Sequence, residues 1–127
     1  MPTVVHFDIS ADDVQRAKQF YEELFEWNIY KFPNAVDDYY LVETTEASGA
    51  PGIIGGIAKR VNPLHEITNF IGVPTLETYL EKVKSLGGTV KSAVNEIPGI
   101  GYLVVCEDTE GNVFGLFQQI EKKEATT

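Results

Sequence analysis

The sequence predicts an α+β fold: two tandem βαβββ modules forming a curled mixed β-sheet around a cleft, with the helices on the outer face. Three observations carry this. The stretch Gly101 to Gln119 (GYLVVCEDTEGNVFGLFQQ) sets two apolar runs around an acidic turn, which is a hairpin pattern, and a looser version of it occupies Tyr39 to Arg60. Tyr40-Leu41-Val42 answers Tyr102-Leu103-Val104, and Gly55-Gly56-Ile57-Ala58 answers Phe114-Gly115-Leu116-Phe117. Sliding the second half onto the first sets His6 on Thr68, an offset of 62 (68 − 6), and brings Val14 onto Leu76 and Leu24 onto Leu86, so the two helical stripes superpose. Finally, Gly56 and Gly115 stand inside strand-like runs, where a side chain would ordinarily pack.

The first module spans 1–60. Thr3 to Ser10 alternates with period two, placing Val5, Phe7 and Ile9 toward a helix and His6, Asp8 and Ser10 on the opposite face. Ser10 to Asp13 offers oxygen acceptors for the first free N–H groups of a helix carrying Val14, Ala17, Phe20, Tyr21, Leu24 and Phe25 at helical spacing. Trp27 to Phe32 reads as a strand broken by Pro33-Asn34, and Tyr39 to Thr45 resumes one. A turn-rich stretch then leads into Ile53 to Lys59, which Gly55-Gly56 interrupts.

A seam at 61–64 contains Pro63, which stops a strand, and the second module, 65–120, repeats the order. Glu66 to Val73 is its first strand. Thr75 is placed to cap a helix bearing Leu76, Tyr79, Leu80, Val83 and Leu86, and Gly87-Gly88 ends it in the left-handed region. Thr89 to Val94 and the hairpin complete the module, leaving a polar tail at 121–127.

Composition narrows the function. At 127 residues, with 43% apolar and 23% charged content, the chain is expected to be one compact domain or two very small modules sharing one core. The net charge of −9 argues against a phosphate-backbone partner, because nucleic-acid affinity comes largely from Lys and Arg. No apolar run approaches the roughly 18 residues that span a bilayer, and the N-terminus has no positive patch before its apolar residues, so a cytoplasmic, unprocessed protein is expected. The single cysteine, Cys106, reads as a buried strand thiol. Nothing in the chain matches a phosphate-cradling loop, a serine elbow or a paired-cysteine motif.

With these residues in view, HFDISADDVQRAKQFYEELFEW, the Gly55-Gly56 strand, the helix ending in Leu86-Gly87-Gly88 and the terminal DTEGNVFGLFQ resemble the vicinal oxygen chelate superfamily of glyoxalase, bleomycin-resistance and ring-cleaving dioxygenase proteins. The resemblance covers nearly the whole chain. In its metal-dependent members a divalent ion sits in the cleft on the first and last strands of each module. The matching positions here are His6, Gly56, Thr68 and Gly115, of which only His6 is a family-type ligand. Members of this length are commonly homodimers, and open sheet edges make self-association physically sensible.

The leading expectation is therefore a glyoxalase/bleomycin-resistance-like protein that binds a small, aromatic or cationic molecule in the cleft, with no cofactor and without the usual complete metal site. Gly56 and Gly115 would make room near the backbone, Tyr40, Phe70, Tyr102 and Phe117 would line the pocket, and Glu66 and Thr68 would add polar groups. The alternative is an enzyme of the same superfamily, a lyase, isomerase or dioxygenase, using His6 with a recruited divalent metal or His6 with Asp8 as an acid/base pair. Ligand identity, and whether modules pair within or between chains, are not encoded in the pattern.

Overall fold

A computed structural model describes residues 1–33, 38–61 and 67–120. Glu66, His65 and most of the expected seam therefore lie outside the described residues, as do the loop at 34–37 and the tail. The chain divides into two compact units, Val4–Asn69 and Phe70–Thr127 with Met1–Thr3.

The first unit contains β1 (Thr3–Ala11), α1 (Val14–Phe25), β2 (Asn28–Lys31), β3 (Tyr39–Glu43) and β4 (Ile54–Lys59). β1 runs parallel to β4, β4 antiparallel to β3, and β3 antiparallel to β2. The parallel pair is the one that needs a long crossover, and α1 begins that connection. Asp13 caps α1, its Oδ1 accepting from Arg16 N at 3.0 Å. Ile9, Ala11, Val14, Ile29, Val42 and Ile57 form the core, with Phe7, Ala17, Tyr21, Trp27 and Tyr40 packed on it. The expected alternation of β1 holds through this core: odd positions from Phe7 to Ala11 meet α1. The strand does not break at Gly55-Gly56; it passes straight through them because the Phe7 ring fills the space above Gly55.

The second unit contains the end of β5 (Ile67–Gly72), then α2 (Leu76–Ser85), β6 (Thr89–Val90), β7 (Asn95–Ile97), β8 (Gly101–Glu107) and β9 (Val113–Gln119). β5 is parallel to β9, and β8 pairs antiparallel with β9 over seven positions. The anticipated single strand over Thr89 to Val94 is instead two short pieces, β6 and β7, each paired to β8. Thr75 occupies the N-cap position but makes no side-chain cap; Gln118 Oε1 accepts from Leu76 N at 2.8 Å instead. Gly87 has φ +95°, as the helix stop requires. Val73, Leu76, Val104, Cys106 and Leu116 form this unit's core, and burial pushes the Cys106 thiol pKa up, away from nucleophilic use. In the connecting turn Asp108 accepts from the backbone N–H groups of Asn112 and Glu110, bonds that hold its carboxyl below the usual range.

Both units are thus a helix on one face of a small mixed sheet, which is the α+β class expected. The repeat is shifted in one place. Leu41 faces Gly56 and Val105 faces Gly115, so Tyr40 corresponds to Val104 and not to Tyr102.

Candidate functional site

Strand alternation decides which side chains share the face of the first sheet turned away from α1. β1 presents His6 and Asp8, β4 presents Gly56 opposite Asp8, and β3 presents Tyr39 and Leu41. Three of these converge. His6 Nε2 lies 2.9 Å from Asp8 Oδ1 and 3.0 Å from the Tyr39 hydroxyl, and that hydroxyl donates to Asp8 Oδ1 at 2.8 Å. With the phenolic proton committed to Asp8, the triangle closes when His6 carries its proton on Nε2. Burial, followed by the Asp8 charge and the hydrogen bond to it, raises the Tyr39 pKa well above that of a free tyrosine, so the phenol stays neutral and donating.

Gly56 is the condition for this arrangement. A Cβ there would run into the Tyr39 hydroxyl and stand 2.6 Å from Asp8 Oδ1. The room expected for a ligand above Gly56 is taken by the chain's own Tyr39 and Asp8.

Tyr30 and Glu43 lie on the same face, toward the sheet edge. Glu43 accepts from Asn28 Nδ2 at 2.8 Å and from the Tyr30 hydroxyl at 2.9 Å, and the bond to Glu43 raises the Tyr30 pKa. The Phe32 and Tyr39 rings are 6.0 Å apart. None of the described positions on this face of the four strands is Lys or Arg. Arg60, just past β4, is held by Asp12 at 3.0 Å.

The remaining expected residues are placed differently. Tyr40 is on the helix side, packed on the first core with its hydroxyl accepting from Gln15 Nε2. Tyr102 is likewise on the helix side of the second sheet. Both were off because the strand's parity, counted from the glycine opposite, puts Tyr39 and Leu103 on the other face. Tyr39 was missed although the odd-even rule applied to β3 would have found it. Phe70 is buried, and a Cβ on Gly115 would meet its ring, so Gly115 seats Phe70. Phe117 is on the same face as Gly115 and lies against Gly101, and Thr68 is half-buried on β5.

Of the four positions matched to the family's divalent-ion ligands, His6, Gly56, Thr68 and Gly115, His6 alone is an imidazole or carboxylate. Gly56 and Gly115 offer no donor atom, and the spaces above them hold the Tyr39–Asp8 contact and the Phe70 ring. Among the described residues no cluster of three or more His, Cys, Asp or Glu stands ready for a metal.

The sequence profile of the glyoxalase/bleomycin resistance protein/dioxygenase superfamily matches residues 3–116. The chain belongs to this superfamily. No curated protein matches it. Among known structures, the superfamily member resembles methylmalonyl-CoA epimerase from Mycobacterium tuberculosis with a TM-score of 0.66 at 12% identity, covering 97% of this chain and 91% of that one. It resembles a glyoxalase/bleomycin resistance protein/dioxygenase superfamily member from Vibrio splendidus with a TM-score of 0.65 at 13% identity, covering 94% and 100%. Streptomyces coelicolor methylmalonyl-CoA epimerase bound to 2-nitronate-propionyl-CoA gives 0.66 at 9% identity, covering 93% and 97%. At these identities the likeness is one of fold. No helix among the described residues is long and apolar enough to cross a membrane.

Proposed function

We propose that this superfamily member binds a small molecule with a cationic or hydrogen-bond-donating group and an aromatic or apolar body, using the open face of its first sheet and no divalent metal. The observation that carries this is the state of Asp8. Its Oδ1 takes the bonds from Tyr39 and His6, its Oδ2 accepts none from the described residues, and its side chain is 30% exposed. A carboxylate held rigidly by one oxygen and open at the other is a preorganised acceptor. Around it the face supplies Tyr39, Phe32 and Tyr30 for ring contact and Glu43 as a second carboxylate. The chain's overall acidity favours the same sign of ligand.

The second reading is an enzyme that moves a proton without a metal. It rests on the same triangle, in which Asp8 and Tyr39 orient the His6 imidazole as a general base would require. The epimerases in its structural neighbourhood lend the fold to this reading; their substrate is their own.

The test uses chelator-stripped protein and calorimetric titration with benzyltrimethylammonium, benzylamine and neutral benzyl alcohol, alongside Ni²⁺, Zn²⁺ and Mn²⁺. Saturable binding of the two cations that Asp8→Asn abolishes, with benzyl alcohol unaffected, is the expected outcome. A bound ligand at about one hundred times its Kd also raises stability by about 2.7 kcal/mol. Stabilisation of that size by a divalent metal, lost in His6→Ala, would overturn the metal-free reading.

A further inference from the structure

We propose that the face built around Asp8 selects molecules with two cationic groups, one at each end of an apolar chain, and that Glu43 reads the second end. This rests on the cation-binding reading above and deepens it by fixing the ligand's charge and length. Asp8, Gly56, Leu41 and Tyr30 stand in one row across β1, β4, β3 and β2. Ile54 is two positions before Gly56 on β4, and Glu43 is two positions after Leu41 on β3. Strand alternation puts them on the same face, turned away from α1.

Glu43 is therefore two strands over from Asp8 and two residues along. With strands about 4.8 Å apart and about 3.3 Å of rise per residue, the two Cα atoms are about 12 Å apart across the face. An ammonium group sits about 2.8 Å from a carboxylate oxygen, so the two charges of one bridging molecule are about 6–12 Å apart. Tyr30 and Asn28 hold Glu43 on the β2 side, away from Asp8, and a single small cation does not reach both carboxylates.

What lies between the carboxylates is apolar. Leu41 is half-buried, Ile54 is 48% exposed, and Gly56 has no side chain. Methylenes laid over Leu41 and Ile54 leave water favourably, whereas a polar linker would lose its hydrogen bonds to water there without replacing them. The two ends are set up alike. Asp8 accepts from the Tyr39 hydroxyl at 2.8 Å and Glu43 from the Tyr30 hydroxyl at 2.9 Å, and among the described residues neither carboxylate is paired with Lys or Arg. In a chain of net charge −9, one dication relieves the repulsion at both, and once its first end is bound its second contact is intramolecular.

Calorimetric titration at low ionic strength, where exposed charges are least screened, tests this with terminally substituted diaminooctane, aminooctanol, diaminopropane and aminopropanol. Diaminooctane should bind about tenfold tighter than aminooctanol: about fivefold from a second exposed ion pair and about twofold from having two equivalent ends. The propane pair is too short to bridge and should differ only by that statistical factor. Glu43→Gln should reduce the octane preference to the same statistical factor, whereas Glu77→Gln, an equal loss of charge at an exposed position on α2, should leave it intact. Unchanged melting of both variants is the folding control. A wild type without the octane preference overturns the proposal, as does an equal preference in the propane pair, or a Glu43→Gln protein that keeps it. Aminooctanol binding without that preference removes this inference alone; a protein that binds neither amines nor diamines removes the cation-binding reading with it.

Discussion

The first module holds a carboxylate beside its strand glycine, and the second holds a phenyl ring beside the glycine in the same position. Asp8 faces Gly56 across the parallel pair of β1 and β4, and Phe70 faces Gly115 across that of β5 and β9. The two are 62 residues apart (70 − 8), the same offset that superposes the helices. In each case a Cβ on the glycine would collide with what lies above it: the Tyr39 hydroxyl and Asp8 in one, the Phe70 ring in the other. The repeat has kept the backbone solution, a glycine that lets a neighbour lie flat on the strand, and changed what uses it. One slot is polar and half-exposed; the other is buried and apolar.

If that division is right, the largest effect of any substitution in the two slots belongs to the second. Phe70 is 7% exposed, and truncating a buried phenylalanine leaves a cavity, so Phe70→Ala should cost about 3–5 kcal/mol in urea unfolding. Asp8→Asn keeps shape and acceptor capacity at a half-exposed site and should cost about 1 kcal/mol or less while removing cation binding. Equal losses from the two would mean that the polar slot is structural and carries no ligand.

The next effect tests the glycines themselves. Gly56→Ala should destabilise by about 1–3 kcal/mol through overpacking against Tyr39 and Asp8. Its damage should shrink in a Tyr39→Phe background, where the nearest atom is gone, giving a coupling of at least about 0.5 kcal/mol in a double-mutant cycle. Tyr39→Phe should leave the cost of Gly115→Ala unchanged, since Phe70 and not Tyr39 occupies that slot. Additive behaviour at Gly56 would place the clash elsewhere.

Much of this contrast could be read from the residues, and the part that could not has a specific cause. Period two in Thr3 to Ser10 put His6 and Asp8 on one face, helical spacing located both helices, and the terminal hairpin fell where its apolar runs end. The oddly placed glycines pointed to the right strands, because a strand gives up a side chain only for close approach. What approaches them is a matter of register, which turns and ladders decide and local pattern does not. Matching Tyr40 to Tyr102 by letters missed the true correspondence by two residues and chose the helix side, so Tyr39 went unnoticed. Gln118 capping α2 was equally invisible, since it acts from 42 residues away while Thr75 looked sufficient.

The remaining effect is the most specific to the polar slot, and it depends on pH. Tyr39→Phe removes one hydrogen bond to a carboxylate and should cost about 1–2 kcal/mol at neutral pH. Burial and the Asp8 charge raise the folded-state pKa of Tyr39 above its ordinary value of 10.0. Below that ordinary value both folded and unfolded chains keep the proton, so the contribution is complete. Above it the unfolded chain releases the proton while the folded chain retains it, and stability falls as pH rises, by at most about 1.4 kcal/mol per pH unit. The stability gap between wild type and Tyr39→Phe should therefore narrow from about pH 10 upward, because the other tyrosines act alike in both proteins. Tyrosinate absorbance gives a second check: before unfolding, the two proteins should titrate the same number of phenols, since Tyr39 does not ionise in the folded chain. One additional phenol titrating normally in the wild type would mean that its hydroxyl is not held by Asp8, and the polar slot would lose the feature that distinguishes it from the apolar one.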